Sequence, residues 1–208
     1  MGLGNRFFCD KLLSEFEEQL RHSYSLGALR DSMHNSISGL GFEAYAYVRV
    51  TRNQNGASEI EGLTNYPSAW CERYKDADYF AFDPTLRYCA SELQPVAWHD
   101  LRASHAGDRA ASILFEEAQG YGLRNGITIP LHGGDRWVSA MNVVTDVACR
   151  EATQMVSAHM DMLHIMSIIF HGIADERIRS SKLSLPMSKV SLSNKNSYNA
   201  QMTGRRLQ

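Results

Sequence analysis

Much that would announce a function is missing from this 208-residue chain. The four cysteines, Cys9, Cys71, Cys89 and Cys149, form no C-x-x-C pair. Their spacing therefore supports neither a zinc site nor a disulfide framework, and suits a reducing cytoplasm. There is no G-x-S-x-G elbow, no H-E-x-x-H and no phosphate-cradling glycine loop. His159, His164 and His171 lie off the spacing of helical metal ligands, and only His99-Asp100 forms a suggestive pair. No catalytic residue, metal or cofactor is expected, and the chain reads as a binding module rather than an enzyme. The most apolar stretch, residues 155–174, is interrupted by His159, Asp161, His164 and His171, too polar for a membrane span. The N-terminus lacks the apolar run of a signal peptide, and Arg6 stands where a myristoylation motif needs Ser or Thr. A cytoplasmic location follows as the expectation. Acid is absent from residues 177–208, which hold 7 of the 21 Lys and Arg; the other 14 face 23 Asp and Glu in residues 1–176. The main body is acidic and the tail basic.

What is present divides into a patterned body and that tail. Leu12, Leu13, Phe16 and Leu20, then Leu26, Leu29, Met33, Ile37 and Leu40, recur every three or four residues. This predicts two amphipathic helices divided near Ser25-Leu26-Gly27, the second closed by Gly39 and Gly41. Residues 42–51 alternate Phe42, Ala44, Ala46, Val48 and Val50 with Glu43, Tyr45, Tyr47, Arg49 and Thr51, the pattern of a strand with one buried face. Asn53-Gln54-Asn55-Gly56 reads as a turn into a shorter strand over 58–63. Pro95-Val96-Ala97 reads as another strand, followed by a polar loop and a helix over 106–122 marked by Ile113, Leu114, Ala118 and Tyr121. Residues 126–131 and 138–144 form a hairpin pattern through His132-Gly133-Gly134-Asp135, and a long helix is predicted over 152–178. Helices before, between and after antiparallel strands point to an α+β fold: an α-β-α sandwich, with a central antiparallel sheet of five strands and helices on both faces.

The most informative stretch is 65–100, dense in Trp, Tyr and Phe around a few Asp and Pro. Each buried Trp or Tyr carries a polar hydrogen that needs a partner, so this density suits an enclosed pocket for a part-polar, part-oily molecule. Pro67 can open a helix, and Trp70 and Tyr74, four apart, then share one face. Asp83 before Pro84 has the order of a helix cap and first helical residue. Asp83 as a plain cap, Trp70, Tyr74 and Trp98 as core aromatics, and Gly126 as a close backbone approach are all readings these residues allow singly.

Together, Asn65-Tyr66-Pro67, Trp70, Tyr74, Asp83-Pro84-Thr85, Trp98 and Gly126 resemble, in type and spacing, the acyl-homoserine-lactone-binding domain of LuxR-type quorum-sensing regulators. The resemblance covers residues 12–178. It implies the same α-β-α sandwich and an N-acyl-homoserine lactone as ligand. It also implies that the Trp70 indole donates to the lactone carbonyl, Asp83 accepts from the ligand amide N–H, and the Tyr66 hydroxyl donates to the amide carbonyl. Trp98 and Tyr74 would wall in the ring and chain, and Thr85 would assist at the head group. Pro84 and Gly126 would shape the pocket. Asn142 departs from the pattern, standing where relatives often carry a small hydroxyl residue. This predicts an altered preference for the substituent on the third acyl carbon, or a smaller pocket.

The resulting expectation is a ligand-binding domain over 1–178 and a basic, Ser-rich tail over 179–208 of disordered composition. That tail lacks the amphipathic helix pair of a helix-turn-helix, so direct DNA binding is not expected of this chain. Such a protein would modulate transcription indirectly, by sequestering signal or by forming inactive dimers with a full-length LuxR-type regulator. Its dimers, homo- or heterotypic, would form through helical faces such as that of the last helix. The alternative is the sensing half of an ordinary DNA-binding regulator whose C-terminus is truncated or replaced. Weak nucleic-acid contact by the basic tail is a third possibility.

Overall fold

Two helices begin the described chain, α1 (Leu3–Arg21) and α2 (Leu26–Ser38), joined through His22-Ser23-Tyr24-Ser25. Ser25 is extended, and its hydroxyl accepts from the Ala28 N–H at 3.0 Å, satisfying one of the amides that a helix start leaves unpaired. Leu29, Met33 and Ile37, one per turn, are the buried stripe of α2. Gly41, at φ 88°, then turns the chain into the sheet, a conformation that costs glycine little. The computed structural model describes residues 3–52, 58–132 and 137–181. The expected turn at 53–56, the connection at 133–135 and the tail from 182 onward lie outside these residues.

The five strands are β1 (Ala44–Arg52), β2 (Ser58–Thr64), β3 (Val96–Ala97), β4 (Asn125–His132) and β5 (Trp137–Thr145). They form the five-stranded antiparallel sheet that the sequence pattern predicts, in the order β2-β1-β5-β4-β3. Pro130 sits in β4 beyond the two residues that pair with β3, on the side where no ladder needs its missing N–H.

Helices cover both faces, and this corrects one expectation. Strand β1 buries both sides rather than one: Tyr45 and Tyr47 are as inaccessible as Ala46 and Val48. With Ile127, Ile129, Met141 and Val143 they pack against α1, α2 and the long α7 (Cys149–Ser181). Both phenols meet the edge of Phe170, at ring separations of 5.9 and 5.5 Å. Their hydroxyls are satisfied there, Tyr45 donating to the Arg30 carbonyl at 3.2 Å and Tyr47 pairing with His171 Nδ1 at 2.8 Å. A phenol whose O–H finds a partner behaves as a large core residue.

The opposite face carries Ala44, Ala46, Val48, Val50, Ala140 and Val144. It is covered by α3 (Ser68–Asp76), a 3₁₀ turn (Tyr79–Ala81), α4 (Pro84–Ser91), α5 (Trp98–Ser104) and α6 (Arg109–Gln119). Helix α5 replaces the polar loop expected after Trp98, because Trp98 and Leu101, three residues apart, are both buried. Helix α6 starts later than 106, at Asp108, whose carboxylate accepts from the Ala110 and Ala111 amides. Its end is closed at Gly122, φ 79°, as the sequence suggests.

Candidate functional site

The covered face of small side chains leaves a void. Alanine and valine at Ala46 and Val48 do not fill the space between sheet and helices, and a cavity of about 50 Å³ remains over them. That is several times the roughly 15 Å³ that one water needs. Thr64, Tyr66, Trp70, Cys71, Tyr74, Phe80, Asp83, Leu86 and Asn142 complete its lining.

Local structure places each of these groups. Pro67 caps α3, so Trp70 and Tyr74 rise one turn apart on its inner face, their rings edge-to-face at 5.9 Å. Asp78, in the left-handed region at φ 51°, reverses the chain after α3 and sends Tyr79 back onto Trp70, stacked at 5.8 Å. Tyr121 closes the other side of the indole at 5.4 Å. Outside this cage, Arg73 reaches from α3 to grip Glu117 on α6 through two hydrogen bonds of 2.6 and 2.7 Å. That bonding holds the Glu117 carboxyl down at about 2.

Asp83 is the polar centre. It caps α4, its Oδ1 accepting from the Thr85 N–H at 2.7 Å, while Oδ2 accepts from the Tyr74 hydroxyl at 2.7 Å. The cap role and the cavity role are thus held by one carboxylate, 7% exposed. Burial pushes its pKa above the ordinary 3.8, opposed by the Tyr74 and Thr85 hydrogen bonds. Across from it the Tyr66 hydroxyl is buried and has no hydrogen-bond partner among the described residues. Burial, with the nearby Asp83 charge adding to it, raises the Tyr66 pKa well above 10. A buried hydroxyl without a partner costs about 1–3 kcal/mol, a cost that a ligand acceptor would remove. The Trp70 indole N–H likewise makes no hydrogen bond among the described residues, and Trp70 is 4% exposed.

Of the residues singled out in the sequence, Tyr66, Trp70, Tyr74, Asp83 and Asn142 line the one cavity. Thr85 and Pro84 do not: they form the buried first turn of α4 behind Asp83. Gly126 has the role of a close approach, since a Cβ there would stand 2.4 Å from the Val143 carbonyl oxygen. Trp98 does not wall the cavity. It opens α5, packs edge-on to Phe115 at 5.5 Å, and donates its indole N–H to Thr128 Oγ1 at 2.9 Å. Thr128 in turn donates to Asn142 Oδ1 at 2.6 Å, so Trp98 is linked to the cavity wall through Thr128. Sequence reasoning missed Thr64, Cys71, Phe80 and Leu86 in the lining, and Thr128 behind it. The spacing of Phe80 and Leu86 within the aromatic stretch was the available signal; Thr64 and Thr128 carried none. Among the described residues, no group of His, Cys, Asp and Glu could hold a metal ion, and no helix is long and apolar enough to cross a membrane.

The family model described as "Autoinducer binding domain" matches residues 25–173, and so includes the whole cavity. The chain belongs to the autoinducer-binding domain family. Among curated relatives, the transcriptional activator protein VanR of Vibrio anguillarum is 29% identical over 149 residues, 70% of this chain and 60% of that protein. The transcriptional activator protein AnoR of Acinetobacter nosocomialis is 33% identical over 98 residues, 47% of this chain and 40% of that protein. The chain thus spans 60% or less of the length of these relatives. In fold it is similar to the N-acylhomoserine-lactone-dependent LuxR-family factor CepR2 of Burkholderia cenocepacia, with a TM-score of 0.69 and 19% identity over 82% of this chain and 96% of that one. It is also similar to SdiA of Escherichia coli, with a TM-score of 0.61 and 18% identity over 83% and 71% of the two chains. An autoinducer-binding domain in this fold senses a small signal molecule, and the cavity over Ala46 and Val48 brings the buried Tyr66 hydroxyl and the Asp83 carboxylate to one void.

Proposed function

We propose that this cavity binds an N-acyl-homoserine lactone. The observation that carries the reading is the buried, partnerless Tyr66 hydroxyl facing the same small void as the Asp83 carboxylate. One is a donor lacking an acceptor; the other is an anion with lone pairs to spare beyond Tyr74 and Thr85. An amide presents both complements, its carbonyl oxygen to Tyr66 and its N–H to Asp83. The Trp70 N–H then donates to the lactone carbonyl, and Ala46, Val48, Phe80 and Leu86 take the acyl chain. Tyr74 holds Asp83 in place, and Thr85 contributes through its amide on the carboxylate. Each methylene buried contributes about 0.8 kcal/mol, and a ligand that binds only the folded chain stabilises it. No step in this reading is catalytic, and none needs a metal or cofactor.

The output is proposed to be indirect: signal sequestration, or a dimer with a full-length LuxR-type regulator that cannot act. A second reading is favoured by the curated relatives, one of which is named an HTH-type quorum sensing-dependent transcriptional regulator. In it this chain is the sensing half of such a DNA-binding regulator. Thermal melting and soluble yield with a panel of acyl-homoserine lactones test the binding claim, the expected result being a rise for some chain length. Indifference to the whole panel would mean the ligand class is wrong. Pull-down of a full-length regulator separates the outputs, since a pure signal sink retains none.

A further inference from the structure

Asn142 on β5 and Thr128 on β4 are direct cross-strand partners on the cavity face of the sheet. The hydrogen bonds through them run in one direction only. An indole N–H can only donate, so the Thr128 oxygen accepts from Trp98 at 2.9 Å. The Thr128 hydroxyl has one proton, and it goes to Asn142 Oδ1 at 2.6 Å. Turning the amide round would set two donors against that hydroxyl and leave its own proton with no acceptor among the described residues, buried as Thr128 is. The Asn142 carbonyl is therefore committed to Thr128. Its NH2 group donates to nothing among the described residues, while the side chain lines the cavity. The Asn142 wall of the cavity thus offers a hydrogen-bond donor, and the Asp83 wall an acceptor.

We propose that Trp98 and Thr128 are positioning residues that lock the Asn142 amide as a donor into the cavity, so that the pocket selects acyl-homoserine lactones with a carbonyl oxygen part-way along the acyl chain. This rests on the acyl-homoserine-lactone reading above and adds a sign to it. A hydroxyl side chain at position 142 could serve a ligand donor or acceptor by rotating; the locked amide serves an acceptor.

The test measures affinities of the full chain for lactones of equal chain length bearing a 3-oxo group, a 3-hydroxyl or no substituent. The native protein is expected to favour the 3-oxo ligand over the unsubstituted one by about three- to tenfold, the range of one hydrogen bond. Thr128→Val keeps the shape but removes the relay, and is expected to bring that ratio close to one while still binding the unsubstituted ligand. Thr128→Ser keeps the hydroxyl and should retain the ratio. Trp98→Phe, which removes the donor that sets the direction, should lower the ratio and serves if Thr128→Val does not fold. A native ratio near one overturns the proposal, as does equal weakening of all three ligands by Thr128→Val with the ratio intact, which would be a merely structural effect. If none of the three binds the native chain, the acyl-homoserine-lactone reading fails first and this inference with it.

Discussion

The two faces of the sheet use the same strands to opposite ends. Against α1, α2 and α7 the strands present large side chains, and Tyr45, Tyr47, Met141 and Val143 interlock with Phe16 and Phe170. Every phenol there has its partner. Against α3 to α6 the alternate residues are small, a cavity stays open, and the buried Tyr66 hydroxyl beside it has no partner among the described residues. Large interlocking side chains fill one face; small ones on the other leave a void. The cavity face is underpacked, and a ligand acceptor would satisfy the Tyr66 hydroxyl there.

The largest expected effect breaks the packed face. Phe170→Ala removes the ring that both tyrosines abut and should cost about 3–5 kcal/mol, read as a lower urea midpoint with or without a lactone present. A loss that appeared only without ligand would mean the two faces are not separable.

Asp83→Asn acts on the other face. It should weaken lactone binding roughly 10- to 100-fold by removing a charged acceptor, measured by titration. The same variant has a pH signature. A carboxyl whose folded pKa is raised favours folding below the ordinary 3.8 and loses that contribution as pH rises through its folded value. The native chain should therefore show a fall in stability just above pH 3.8 that Asp83→Asn flattens, visible in melting temperature across that window. An unchanged profile would assign the slope to other groups.

The smallest effect is the most diagnostic. Tyr66→Phe deletes only the partnerless oxygen, so the free protein should gain stability, by about 1 kcal/mol, while lactone affinity falls several-fold. On the packed face the equivalent change, Tyr47→Phe, would remove a hydroxyl already paired with His171 Nδ1 and give the opposite sign without ligand. Loss of stability in Tyr66→Phe would show that the hydroxyl is already satisfied.

How far the chain was legible depended on whether a residue's role is local. The strands could be read because alternation and turn residues act over a few positions, and Asp83-Pro84 declared its helix start for the same reason; the order of the strands, which sets β1 beside β5, could not. Tyr45 and Tyr47 were read as solvent-facing because a hydroxyl counts as polar until its acceptor is known, and their acceptors lie on α2 and α7. The family resemblance implies that Trp98 walls in the ligand; its N–H is instead taken by a threonine thirty residues away. Thr64 and Thr128 carried no signal, since a threonine in a strand is ordinary until it stands beside a cavity or beneath an asparagine.

By itself the sequence determined the strands, the principal helices other than α5, and the cluster of aromatic and acidic groups between β2 and β3, because capping, periodicity and spacing are short-range. Only the tertiary structure decided which of those groups share one void, which hydroxyl is left without a partner, and which way the Asn142 amide faces. Those properties belong to pairs of atoms brought together across strands and helices, and no single segment of the chain carries them.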